Sequence, residues 1–201
     1  VIPNPGIEDF RDPKVFWYAP QNKWIMSLAT SQSITFYSSK NLKQWEKLSE
    51  FGENIGAHTG VWECPDLFPL IYDGKVKWVL FVSINPGGPN GGNATQYFIG
   101  DFDGTTFTPD PLPYPLWLDY GRDNYADGRR LFLGWMNNWD YGNVVPTRNF
   151  RSAMTLPREL RLAHNGLHMV VASFPVKEVG DEKDGTPIIM DKLTEETFPI
   201  G

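Results

Sequence analysis

Val61-Trp62-Glu63-Cys64-Pro65-Asp66-Leu67 sets a carboxylate among bulky and stiff residues, inside a stretch (60–70) that otherwise reads as a buried strand. Trp62 supplies apolar surface, Pro65 fixes its own backbone, and Val61, Leu67 and Phe68 are core-directed. A Glu in that company is expected to be poorly solvated, and desolvation disfavours the charged form of a carboxyl. A carboxyl kept protonated near neutral pH is what a general acid needs. The same pattern also suits a strand Glu that faces solvent or an Arg, and the local sequence leaves both readings open.

Outward from this stretch the chain keeps a strand rhythm. Residues 10–18 (FRDPKVFWY) lead into a strand, and Ala19-Pro20-Gln21-Asn22 turns it, with Pro20 pre-setting its backbone angle and Asn22 tolerating a left-handed one. Strands follow at 23–30 and 33–39, the second with Ile34 and Phe36 inward, and Asn41 to Trp45 forms a turn. Tyr72-Asp73-Gly74 is a hairpin signal before an apolar strand at 75–84 with Trp78, Leu80 and Val82 on one face. Further strands are expected at 96–101, closed by Asp103-Gly104, and at 130–137, 153–156 and 160–163, with Asn165-Gly166 as a two-residue type I′ turn. Apolar residues nowhere recur at helical spacing over three turns. Short strands with Gly and Pro turns between them predict an all-β sandwich, barrel or propeller, and the strand, Gly-turn, strand, aromatic rhythm favours propeller blades. No fixed repeat period emerges from the sequence. Past Pro175 the charged, Gly-punctuated run 177–185 reads as a solvated linker.

Composition excludes several function classes. The 201 residues carry a net charge of −6, and their 18 Lys and Arg are scattered, which disfavours a nucleic acid or an anionic membrane surface as partner. No apolar stretch approaches the roughly 18 residues of a membrane span. Cys64 is the single cysteine, so an internal disulfide and a Cys-based metal cluster are both ruled out. Aromatic residues make up 14% of the chain, which suits a β-rich core and equally a sugar site, because sugar faces stack on rings.

Five further constellations bear on chemistry. Asp12, between Arg11 and Pro13, is a second candidate carboxylate or a structural strand-start Asp; in a regular strand Arg11 and Asp12 point to opposite faces. Asp119-Tyr120-Gly121-Arg122-Asp123-Asn124-Tyr125 gathers acids, an Arg and aromatics, in a pattern also common in polar turns. The Gly-rich run 85–92 lacks the Lys-Ser or Lys-Thr and the following helix of a phosphate cradle. His164 and His168, placed on neighbouring pairs across the Asn165-Gly166 turn, face opposite sides and do not share a metal. Asn93-Ala94-Thr95 is a glycosylation sequon. A serine nucleophile elbow and a Cys–His dyad motif are absent. Carboxylates among aromatics in an all-β frame favour glycoside hydrolysis.

The ordered motifs F-R-D-P-K-V-F-W-Y (10–18), W-E-C-P-D-L-F (62–68), S-I-N-P-G-G-P-N-G-G (83–92), Q-Y-F-I-G-D-F-D-G (96–104), D-Y-G-R-D-N-Y-A (119–126) and G-W-M-N-N-W-D-Y (134–141) resemble glycoside hydrolase family 32. That family includes invertases, levanases and inulinases, and its levanase or exo-inulinase branch is the most similar. The resemblance implies a five-bladed β-propeller over residues 1–175, incomplete here, with 176–201 as linker and start of a C-terminal β-sandwich. It also implies release of fructose from levan, inulin or sucrose by a retaining double displacement, without metal or other cofactor. Glu63 then corresponds to the acid/base and Asp12 to the transition-state stabiliser. Arg11 positions a carboxylate, Asp119 contacts sugar and acid/base, and Trp139 stacks near the terminal fructose. The family's nucleophile is the Asp of an N-D-P-N-G motif, which does not occur in this sequence. A missing first blade and an inactive 201-residue chain are therefore expected, as is a shortened connection at Asn124 to Arg130. The substrate class points to an extracellular or periplasmic location. Two rivals remain: a non-catalytic fructan-binding propeller, and an inverting enzyme using Asp12 and Glu63 alone, which needs carboxyls about 6.5–9.5 Å apart.

Overall fold

The computed structural model describes residues 2–121, 125–128 and 131–181. Among these, thirteen strands form three antiparallel sheets. The first contains β1 (Phe10–Tyr18), β2 (Lys23–Thr30), β3 (Ile34–Ser39) and β4 (Glu46–Phe51) in sequence order. The second runs β5 (Val61–Tyr72), β6 (Lys75–Asn85), β7 (Ala94–Phe102) and β8 (Phe107–Pro109), and the short β9 (Leu116–Trp117) also pairs with β7. The third holds β10 (Tyr125–Gly128), β11 (Leu131–Trp135), β12 (Arg158–His164) and β13 (Met169–Pro175). The expected all-β class is therefore present, and no described helix is long and apolar enough to cross a membrane.

The cores lie between sheets. β6 shows why: Leu80, Val82 and Ile84 face the first sheet, packing with Ile25, Ile34, Phe36 and Trp62. Its alternate residues Val79 and Phe81 face the third, with Phe132, Leu160 and Leu162. A strand buried on both faces reads as a continuous apolar run, as residues 78–82 do. Tyr97 ties the second and third sheets: its buried hydroxyl accepts the Val171 N–H at 3.1 Å. The aromatic residues serve this frame heavily, with Phe16, Tyr18, Trp78 and Phe102 clustered at 5.3–6.3 Å between ring centres.

Several details differ from expectation. β4 was not anticipated, because Glu-Lys-Leu-Ser-Glu-Phe offers only Leu48 and Phe51 as apolar residues and lies at a sheet edge. The expected strand at 153–156 reduces to a single bridge, Met154 to Trp135. The β12–β13 register pairs His164 with Met169, not with Leu167. Asn165 shifts the turn, because its Oδ1 accepts both the Leu167 and His168 N–H groups, each at 3.0 Å, and draws them into the loop. His164 Nδ1 then takes the Gly166 N–H, and His168 Nδ1 meets the Tyr114 hydroxyl at 3.3 Å. The expected linker begins with a short helix, α1 (Lys177–Asp181); its remainder, and the expected sandwich start at 186–201, lie outside the described residues.

Candidate active site

β1 and β5 are the leading edge strands of their sheets and pack against each other. Each is interrupted by one extra residue. β1 advances from Arg11 to Lys14 while β2 moves only from Ala29 to Ser27, and β5 advances from Glu63 to Asp66 while β6 moves only from Ser83 to Phe81. Asp12 and Cys64 take the left-handed backbone at these bulges, with φ of 58° and 48°. Asp is one of the few residues that enters that region at modest cost. The proline after each, Pro13 and Pro65, has no N–H to lose to the broken ladder.

The bulges decide which side chains meet. In a regular strand, residues three apart face opposite sides; one inserted residue brings them to the same side. Arg11 and Lys14 thus share a face, and so do Glu63 and Asp66. Across the joint Arg11 donates to Glu63 Oε1 from Nη2 at 2.9 Å and from Nε at 3.2 Å, and its Nη1 pairs with Asp9. Lys14 Nζ stands 3.1 Å from Asp66 Oδ2. Between these pairs, Asp12 Oδ2 accepts the Cys64 N–H at 3.0 Å, and the Cys64 thiol lies 3.7 Å from the same oxygen. Three pairs share one offset: Arg11 with Glu63, Asp12 with Cys64 and Lys14 with Asp66 each lie 52 residues apart.

The Glu63 side chain is 16% exposed and bonded to Arg11. Burial works to lower the Arg11 pKa, but the hydrogen bonds to Asp9 and Glu63 outweigh it and hold the guanidinium above its ordinary value. Arg11 is therefore a fixed cation that orients one oxygen of Glu63. The neighbouring wall is rigid. Trp62 is fully buried, donates from Nε1 to Ala57 O at 2.7 Å, and stacks on His58 at 5.0 Å. Gln96, also fully buried, accepts the Ala57 N–H at 2.9 Å.

The remaining expected site residues sit on loops held by the second sheet. Asp119 accepts the Gly121 N–H at 2.6 Å and lies 3.7 Å from the Arg158 guanidinium. Trp139, 48% exposed, leans on Trp135 with ring centres 4.8 Å apart. Its N–H is held by the buried Asn93 at 3.0 Å, and Asn90 donates to Tyr120 O. The Gly-rich run is thus a brace for both loops, and Gly92 (φ 70°) is needed because a Cβ there would lie 2.0 Å from Asn138. Arg122, Asp123 and Asn124 lie outside the described residues. The Lys14–Asp66 pair and Asn93 were missed in the sequence; the former was signalled by the 52-residue offset shared by Pro13 and Pro65.

The arrangement offers a carboxyl with one oxygen oriented by a cation, a second carboxylate fixed by a backbone N–H, and an exposed indole on a braced loop. No group of three or more His, Cys, Asp or Glu suited to a metal ion occurs among the described residues.

Comparison with known proteins agrees with this chemistry. The chain is 54% identical over 193 residues to a levanase of Bacillus subtilis (strain 168), covering 89% of this chain and 28% of that protein. It is 47% identical over 188 residues to an extracellular exo-inulinase of Aspergillus ficuum, covering 81% and 35%. Among solved structures, an exo-inulinase from Aspergillus awamori superposes with a TM-score of 0.79 at 40% identity, covering 86% of this chain and 38% of that one. A fructofuranosidase from Schwanniomyces occidentalis complexed with fructose gives 0.76 at 38%, covering 84% and 36%. The chain therefore spans about a third of the length of these relatives. Residues 1–173 match the glycosyl hydrolases family 32 N-terminal domain, and the chain belongs to that family.

Proposed function

We propose that this chain forms the acid/base side of a fructan-hydrolysing site, releasing fructose from levan, inulin or sucrose by a retaining double displacement on a five-bladed propeller followed by a β-sandwich. The observation that carries the reading is the paired bulge, which sets Glu63 and Asp12 on adjacent strands with Arg11 bonded to Glu63. Glu63 donates its proton to the departing glycosidic oxygen and then, as carboxylate, takes one from the attacking water. Asp12, held by the Cys64 N–H, accepts hydrogen bonds from fructose hydroxyls as positive charge develops at C2. Asp119 and Trp139 contact the terminal sugar. The nucleophile is a further carboxylate about 5–5.5 Å from Glu63, assigned to an N-D-P-N-G segment outside these 201 residues. Polymeric substrate places the enzyme outside the cytoplasm.

The test is fructose release from levan, inulin and sucrose by the protein expressed from its whole gene, with Glu63→Gln alongside. The variant is expected to lose about 10²–10⁴-fold in kcat. The 201 residues alone are expected to release none. Undiminished turnover in E63Q overturns the acid/base assignment, and turnover by the 201 residues overturns the assignment of the nucleophile.

A further inference from the structure

The geometry points to Lys14 and Asp66 as a positioning pair, a buried clamp that holds the two bulges in register and so places Asp12 and Glu63 relative to each other. Its link to catalysis rests on the roles proposed above for those two carboxyls.

Three observations converge on the clamp. First, Asp12 and Pro13 in β1, and Cys64 and Pro65 in β5, have no ladder partner in their own sheets, so backbone pairing does not fix where they lie. Lys14 and Asp66 are the residues at which pairing resumes, opposite Ser27 and Phe81. Second, Asp66 is 4% exposed, and the Lys14 ammonium 3.1 Å from its Oδ2 is a counter-charge there, without hydrogen-bond geometry. The other ion pair at the joint, Arg11 with Glu63, is more open, the Arg11 side chain being 40% exposed. Third, fully buried Ser27 on β2 places its Oγ 3.4 Å from Pro65 O and 3.5 Å from Lys14 O, so a single hydroxyl bridges the C-terminal ends of both bulges. Arg11 thus meets Glu63 ahead of the bulges, and the Lys14–Asp66–Ser27 cluster joins the strands just after them.

A buried ion pair is poor support for stability as such, since apolar replacements often serve as well. What it supplies is position. Without the Lys14 ammonium the charge across the joint is unbalanced, the two strands part at the bulge, and the Cys64 N–H leaves Asp12.

Cys64 makes the clamp testable without turnover, because it is the only cysteine of these 201 residues and sits in the bulge between Glu63 and Asp66. Its labelling by dithiobis(nitrobenzoate) reports opening of this joint. In the full chain without denaturant, Lys14→Met is expected to speed labelling about tenfold or more, while Lys14→Arg stays within about threefold of wild type. Gly100→Ala, which loosens the fold at β8 on the opposite edge of the second sheet from β5, serves as control. Labelling unchanged in K14M, or raised equally in G100A, overturns the clamp. In the protein expressed from its whole gene, K14M is expected to lower kcat with little change in KM and to shift the acid limb of the pH profile, with K14R restoring both. A wild-type profile in K14M despite faster labelling overturns the positioning role. Turnover retained in E63Q overturns the acid/base reading instead and leaves the clamp standing.

Discussion

Replacing Asp12 separates what its conformation needs from what its charge does. Its backbone is left-handed (φ 58°), and its Oδ2 accepts the Cys64 N–H at 3.0 Å. In Asp12→Ala both supports go. A Cβ-bearing residue without a local hydrogen bond costs about 1 kcal/mol in this region, and loss of a charge-assisted hydrogen bond to a half-buried N–H costs about 1.5–3 kcal/mol. The expected loss is about 2.5–4 kcal/mol, and with a urea slope of about 2.5 kcal/mol per molar the midpoint falls by about 1.0–1.6 M. In Asp12→Asn the amide oxygen still accepts and Asn tolerates the conformation, so the loss is about 0.5–1 kcal/mol, or about 0.2–0.4 M. Urea titration followed by tryptophan fluorescence reads both. Equal shifts for the two variants would refute the claim that the side-chain acceptor, rather than the charge, holds the bulge. The same pair divides stability from chemistry: in the protein expressed from its whole gene, D12N is expected to lose activity at least about 10²-fold despite its near-native midpoint.

Two stability predictions probe the frame behind the site. Burial pushes the Tyr97 phenol above its ordinary value, although the Val171 N–H acts in the opposite sense. A group with a raised folded pKa contributes stability that is complete below its unfolded value, near 10, and is lost as pH rises through the folded value. Tyr97→Phe should cost about 1 kcal/mol at pH 7 and lack that alkaline loss, so urea midpoints of the two proteins should converge above pH 10; a gap independent of pH would contradict this. Gly100→Ala places a Cβ 2.1 Å from Thr108 O and 2.7 Å from the Pro109 Cα, both backbone atoms, so β8 must detach. A loss of about 2–3 kcal/mol in urea titration is expected, and a midpoint unchanged from wild type would show that β8 contributes nothing.

Where alternation and turn chemistry agreed, the frame was legible in the sequence. β2 emerged with its observed ends, and Asn22 takes the left-handed angle assigned to it, φ 48°. β6 was legible because burial on both faces leaves an unbroken apolar run. β4 was not, since an edge strand carries charge on both faces. At Asn165 dipeptide chemistry named the turn but missed its length, because the side-chain oxygen captures the next two amides. At the site, the candidate carboxylates Glu63 and Asp12 could be named, yet their placement could not. Alternation puts Arg11 and Lys14 on opposite faces, and no residue announces the inserted one that reunites them. Only in the structure do the prolines at 13 and 65 mark both bulges as one device used twice.

That device is used with its charges inverted. Arg11 and Lys14 bracket the first bulge, Glu63 and Asp66 the second. Sheets of similar build can in principle dock on the wrong neighbour, or on the same sheet of another molecule. Two copies of β1 laid together would bring Arg11 to Arg11 and Lys14 to Lys14, and two copies of β5 would oppose four carboxylates in a space that excludes water. Only the unlike partners neutralise one another. The joint that frames the candidate carboxylates therefore also favours the pairing of unlike sheets, first with second, over the pairing of either with its own duplicate.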